Sequence, residues 1–136
     1  MSAIMPTYGR LPVTFASGTG AYLTDYKGEQ YLDALSGIAV TNLGHSHPSV
    51  TRAITEQAES LLHTSNLYGI AQQERLAAEL NQLTGMEHIF FCNSGAEANE
   101  TAIKMARRHG HNNGIANPQI VVLEGAFHGR TMGALS

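Results

Sequence analysis

The chain has 136 residues, one cysteine (Cys92) and a formal net charge of −3; hydrophobic residues make up 43%, enough to form a core at the size of one ordinary domain. The slight acidity excludes the basic footprint of a nucleic-acid binder, and a single cysteine excludes an internal disulfide and fits a reducing compartment. No run approaches the roughly 18 apolar residues of a membrane span, and Met1–Pro6 lacks the basic n-region of a secretory signal, so a cytoplasmic location is expected.

In chain order, residues 1–19 read as an aperiodic arm broken by Pro6, Gly9, Pro12 and Gly18, which needs another surface to become ordered. Residues 21–24 and 29–32 alternate as strands around the turn Asp25-Tyr26-Lys27-Gly28, which predicts a β-hairpin. Pro48 opens a helix with Val50, Ala53, Ile54, Gln57, Ala58, Leu61 and Leu62 along one face. A second helix is expected over 70–84, with Leu76, Ala77, Leu80 and Leu83 inward and Gly85 as its stop.

His88-Ile89-Phe90-Phe91-Cys92 then reads as a short apolar strand, with Cys92 a buried small hydrophobe and not a nucleophile. It breaks at Asn93-Ser94-Gly95 into a helix over 96–109. That helix would turn Ala102, Ile103 and Ala106 inward and pair Glu100 with Lys104 on its outer side. Residues 110–118 read as a loop and 119–124, Gln-Ile-Val-Val-Leu-Glu, as a buried strand. Helices alternating with buried strands predict an α/β architecture with a mainly parallel sheet. A shift in composition near residue 70 separates residues 1–69, an arm plus a small α+β segment, from residues 70–136, the start of a larger α/β domain.

Strand, glycine turn and helix start together make an anion site. The first N–H groups of a helix have no internal partner, and the helix dipole adds partial positive charge there. Gly95 permits close backbone approach and Ser94 adds a hydroxyl. The spacing is neither Gly-x-Gly-x-x-Gly nor Gly-x-x-x-x-Gly-Lys-Ser/Thr. On spacing alone, an ordinary capped strand-to-helix turn accounts for these residues equally well. Likewise Phe127 reads by itself as a core aromatic closing a strand end, and Arg130 as either a carboxylate-binding or a surface guanidinium. The pairs His45/His47 and His109/His111 lack a metal-ligand set at ligand spacing, and no metal is expected.

Several motifs in a fixed order narrow these alternatives. Tyr8-Gly9-Arg10-Leu11-Pro12-Val13, the hairpin, Ser36-Gly37-Ile38-Ala39-Val40, Leu43-Gly44-His45-Ser46-His47-Pro48, Ser94-Gly95-Ala96-Glu97-Ala98-Asn99-Glu100 and Gly125-Ala126-Phe127-His128-Gly129-Arg130-Thr131 occur together. This set resembles the class III (subgroup II) pyridoxal-phosphate aminotransferases, nearest their acetylornithine branch. The resemblance implies a fold-type I transferase that binds pyridoxal 5′-phosphate. Ser94, Gly95 and Ala96 would hold the phosphate, Phe127 would lie against the ring and His128 would support the pocket. On the substrate side, Arg130 would take a carboxylate and Tyr8 would line the site. Gly37 would leave room for an acylated amine where ornithine enzymes carry a tyrosine. The implied reaction moves the δ-amino group of N-acetylornithine to 2-oxoglutarate, in arginine biosynthesis, in a homodimer. Ornithine, succinylornithine, succinyldiaminopimelate and 4-aminobutyrate enzymes, or a non-catalytic phosphate-binding module, are the rival expectations. The family's Schiff-base lysine and pyridinium aspartate match none of Lys27, Lys104, Asp25 or Asp33. The chain is therefore expected to be an N-terminal portion, without a catalytic residue and inactive alone.

Overall fold

The computed structural model describes residues 3–135, and the chain divides into two units between Tyr68 and Gly69. In the first, β1 (Phe15–Thr19), β2 (Tyr22–Asp25) and β3 (Gln30–Leu32) form an antiparallel sheet in that order. The β2–β3 hairpin is the expected one, and Asp25 explains its turn. Its Oδ1 accepts the N–H groups of Lys27 (2.8 Å) and Glu29 (2.9 Å), and Gly28 takes the left-handed conformation at φ +86°. With both lone-pair directions used, Asp25 sits 8% exposed without leaving a bare carboxylate.

β1 lies inside the segment expected to be an arm. Pairing with β2, not local propensity, makes it a strand: Phe-Ala-Ser-Gly-Thr alternates weakly, while its ladder is closed by Phe15 packed edge-on against Tyr31 at 5.5 Å. Beyond the sheet, His45 exchanges two backbone hydrogen bonds with Gly20 (2.8 and 3.0 Å), and its ring lies where a Cβ on Gly18 would sit 2.7 Å away. His45 Nε2 meets Asp33 Oδ2 at 2.6 Å. The other oxygen of Asp33 accepts the N–H groups of Leu35 (3.0 Å) and Ser36 (2.8 Å). These bonds launch α1 (Ser36–Ala39), a single turn whose four residues all have φ between +53° and +63°. Helix α2 (Pro48–Ser60) then begins on proline, as the sequence indicates.

In the second unit, α3 (Ala71–Thr84) ends as expected, with Gly85 left-handed at φ +70° and its N–H on Asn81 O. Helix α4 (Gly95–Asn112) runs three residues past its expected end. Gly110 carries Pro118 so closely that a Cβ would meet it at 2.6 Å, and the Gly110 carbonyl accepts Ile115 N–H. A short α5 (Met132–Leu135) closes the unit.

The strands expected at 88–92 and 119–124 are not formed: both segments lack regular secondary structure, and Glu124 lies in a turn. The sheet among the described residues is the antiparallel one of the first unit, where the hairpin was expected. A central strand of a parallel sheet needs partners on both edges and layers on both faces. These segments have none among the described residues, so the expected buried strand is exposed; Val121 is 95% accessible. Cys92 is exposed for the same reason. The inward faces expected of α2 and α3 are likewise largely uncovered, with only Ala77 and Leu80 half-buried, and no hydrophobic side chain among the described residues is buried. The chain presents 12203 Å² to solvent. A compact 14.6 kDa protein would expose about 6,900 Å², and two separate compact units of half that mass about 8,300 Å².

That apolar surface has a measurable consequence: the 136-residue chain in solution should bind a hydrophobic dye and elute above its monomer mass in size-exclusion chromatography. A dye-silent monomer would contradict the exposed faces. A second expectation concerns Asp33. Its hydrogen bond to His45, followed by the Ser36 N–H, holds the carboxyl below the ordinary aspartate range. A carboxyl lowered in the folded state contributes stability above its ordinary pKa and loses it as pH falls through the lowered value. A carbon-13 titration should place the Asp33 midpoint below that of aspartate in an unfolded peptide, and His45→Ala should bring it back up.

Candidate functional site

The N-terminus of α4 is built by its cap. Ser94 is extended (φ −155°, ψ 158°), and its Oγ accepts the Glu97 N–H at 3.2 Å. The Glu97 carboxylate reaches back to accept the Asn93 N–H at 2.6 Å, a capping box displaced by one residue. Among the described residues no partner takes the N–H groups of Gly95 and Ala96. No heavy atom lies within 4 Å of a Cβ built on Gly95, so that side of the turn is open. The result is two unpaired backbone donors, plus a hydroxyl with its proton still to give, at the positive end of an 18-residue helix. This donor set fits a phosphate group.

The second half of the site is the segment 125–131. Gly125 (φ +74°) and Gly129 (φ +112°) adopt conformations open to glycine. Gly129 lies directly on the helix start: a Cβ there would be 3.1 Å from the Ala96 Cβ. Asn99 Nδ2 donates to the His128 carbonyl at 2.8 Å. The Thr131 hydroxyl donates to Glu100 Oε1 and accepts the Ala134 N–H at 3.1 Å. Glu100 therefore faces Thr131, and the expected pair with Lys104 is not formed; among the described residues the side-chain ion pairs are His45–Asp33 and Arg75–Glu79.

The structure thus brings Ser94, Gly95 and Ala96 together with the turn bearing Phe127, His128 and Arg130. Phe127 is 79% exposed, its ring face free of other aromatics and not closing a core. Arg130 is exposed. Tyr8, ahead of β1, and Gly37, in the left-handed turn of α1, belong to the first unit. Lys27 sits in the hairpin turn, and Lys104 lies eight residues beyond Ala96 along α4, about 12 Å of rise. Sequence reasoning missed the roles of Asn99, Glu100 and Thr131. Their contacts span about thirty residues, and no local pattern reports them.

The helix start offers open donors suited to a phosphate, and the turn beside it carries an aromatic and an arginine. The class-III aminotransferase family model matches residues 4–136, and the chain belongs to that family. Class-III aminotransferases are pyridoxal-phosphate-dependent enzymes of fold type I. Among relatives, the acetylornithine aminotransferase of Nitrosomonas europaea is 60% identical over all of this chain, which covers 35% of that protein. The crystal structure of N-acetylornithine aminotransferase from Stenotrophomonas maltophilia superimposes with a TM-score of 0.82 at 42% identity, over 90% of this chain and 34% of that one. Ornithine aminotransferase from Toxoplasma gondii gives 0.88 at 30% identity, over 97% and 32%. The chain spans about a third of the length of the relatives it matches.

Replacing Ser94 by alanine should remove a cap worth about 1 kcal/mol. The sharpest readout is hydrogen exchange at the Glu97 amide, the donor that loses its acceptor. Exchange no faster than in the parent would show that Ser94 does not cap α4.

Proposed function

We propose that this chain is the cofactor-phosphate-holding part of an aminotransferase that moves the δ-amino group of N-acetylornithine to 2-oxoglutarate, in arginine biosynthesis, and that works as a cytoplasmic homodimer. On this reading residues 1–69 are the arm and small-domain segment, and residues 70–136 begin the large cofactor-binding domain. The observation that supports it best is the seating of Gly129 on Ala96, which sets the Phe127–Arg130 turn beside the open donors of α4.

Pyridoxal phosphate, when bound, supplies the electron-withdrawing ring that makes an amine's carbon acidic. The chain's own residues bind and orient. The N–H groups of Gly95 and Ala96 and the Ser94 hydroxyl would hold the phosphate, each a charge-assisted hydrogen bond. Phe127 would offer its free face to the ring, and His128 would flank it. Arg130 would grip the carboxylate common to amino donor and oxo acid through its two-pronged guanidinium. Tyr8 would line the substrate channel. Gly37 carries no side chain and would leave the volume that an acetyl group needs. No residue of this chain is assigned the proton transfer, since Lys27 and Lys104 are placed in a hairpin turn and mid-helix.

An ornithine aminotransferase is the second reading, favoured by the Toxoplasma gondii likeness. Gly37 and the higher identity to enzymes named for acetylornithine weigh against it. The deciding experiment is a donor panel with 2-oxoglutarate, run on the protein at its native length. N-acetylornithine should have the highest kcat/KM, ahead of ornithine, succinylornithine and 4-aminobutyrate; a preference for ornithine would overturn the substrate assignment. Arg130→Ala should raise KM for both donor and oxo acid about tenfold or more, as for loss of a charge-assisted pair worth about 1.5–3 kcal/mol. An unchanged KM would remove Arg130 from the carboxylate role.

A further inference from the structure

We propose that Glu100 and Asn99 are positioning residues: a two-point clamp, one helical turn above the phosphate cradle, that fixes where Arg130 stands relative to the cofactor phosphate. The inference rests on the preceding reading for the identity of the ligands, but its geometry is independent of it.

The clamp follows from five contacts. Asn99 Nδ2 holds the His128 carbonyl at 2.8 Å, and the Glu100 carboxylate takes the Thr131 hydroxyl. The two anchored residues bracket Gly129 and Arg130, so both ends of the arginine's turn are tied to one helix. Glu100 reaches further: a Cβ on Gly133 would lie 2.7 Å from its Oε1, so the carboxylate fills the space that glycine leaves at the start of α5. Thr131 passes the restraint on, since its Oγ1 also accepts the Ala134 N–H at 3.1 Å. Between the anchors, Gly129 rests on Ala96, one of the two residues whose N–H groups are left open at the helix start. Cradle and arginine are therefore referenced to the same rigid element. Asn99 and Glu100 lie three and four residues along from Ala96, the spacing that puts side chains over the same face of a helix. A substrate carboxylate and the cofactor phosphate must be held at a fixed separation for a reacting atom to lie over the ring. A displacement of about 1 Å in such a geometry is enough to cost large factors in rate.

The test uses the native-length holoenzyme and two readouts. The first is the affinity for glutarate, a dicarboxylate with no oxo group to react, measured by calorimetry. Glu100→Ala and Thr131→Val should each weaken it about tenfold, the scale of one lost hydrogen bond to a charged group. The double variant should fall well short of the sum of the two single losses, because both remove the same bond. Glu100→Gln keeps an acceptor for the Thr131 hydroxyl and should stay within about twofold of the parent. The second readout is hydrogen exchange in residues 128–135, which needs no ligand. Glu100→Ala and Thr131→Val should speed it, Glu100→Gln should not, and α3 serves as the internal control for folding.

Unchanged exchange in Glu100→Ala overturns the clamp. Faster exchange with unchanged glutarate affinity overturns its role in positioning Arg130, as do additive losses in the double variant. A parent protein that binds no glutarate sinks the carboxylate reading itself and the positioning role with it, and the exchange data still decide whether the clamp exists.

Discussion

The site depends on a shortage of acceptors at one helix end. Four N–H groups at the start of α4 have no carbonyl within the helix to bond. The chain settles part of this internally: Ser94 takes the Glu97 amide, and the Glu97 carboxylate covers the Asn93 amide just outside. The N–H groups of Gly95 and Ala96 are left over, side by side, pointing out of an end that carries the helix's partial positive charge. Glu97 sets a negative charge near the same place. It is exposed, so water weakens its repulsion of an anion, whereas direct N–H contacts to phosphate are charge-assisted. Direct contact outweighs screened repulsion, so Glu97 does not cancel the suitability of this end for an anion.

Small residues then decide what can approach it. Ala96 offers a single methyl group, and Gly129 offers none, at a φ of +112° that other residues rarely adopt. Together they allow two segments about thirty residues apart to touch at near-minimal distance. A larger side chain at 96, or any at 129, would push the Phe127–Arg130 turn outward and separate an aromatic face and a guanidinium from the cradle. The closeness of the turn to the helix start thus depends on what is absent at Ala96 and Gly129.

What could be read from the sequence divides by the range of the interaction responsible. Helix ends were legible at Pro48, Ser94 and Gly85 because caps and left-handed glycines act within four residues. The hairpin was legible because Asp25 and Gly28 build its turn locally. β1 was not, since its strand character comes from β2 and from the Phe15–Tyr31 contact. Nor was the left-handed turn at Ser36–Ala39. It follows from Asp33 being bonded to both His45 and the backbone ahead, a pairing of residues twelve apart with no periodic signature. The segments 88–92 and 119–124 have the apolar composition of buried strands, and that much was legible; pairing and burial are supplied by neighbours, and none is present among the described residues. At the site, the cradle residues declare themselves through helix-start chemistry, while the tethers Asn99–His128 and Glu100–Thr131 are visible only in three dimensions.

The same division by range explains how a chain with no buried apolar residue among those described holds a defined site. Hydrophobic burial is a sum over distant partners, and here it is largely unmade. The cradle draws on a different source: cap hydrogen bonds closed within four residues, the backbone of one helix, and two side-chain tethers to the turn that follows. Each bond is modest, on the order of 1 kcal/mol net, and a half-buried tether of this kind still competes with water. Covering the apolar faces would exclude that water and lower the local dielectric. Both the Thr131–Glu100 bond and the N–H contacts to a phosphate would strengthen, because each involves a full charge. Burial by other elements is therefore coupled to the site through electrostatics, without any of those elements touching the ligand.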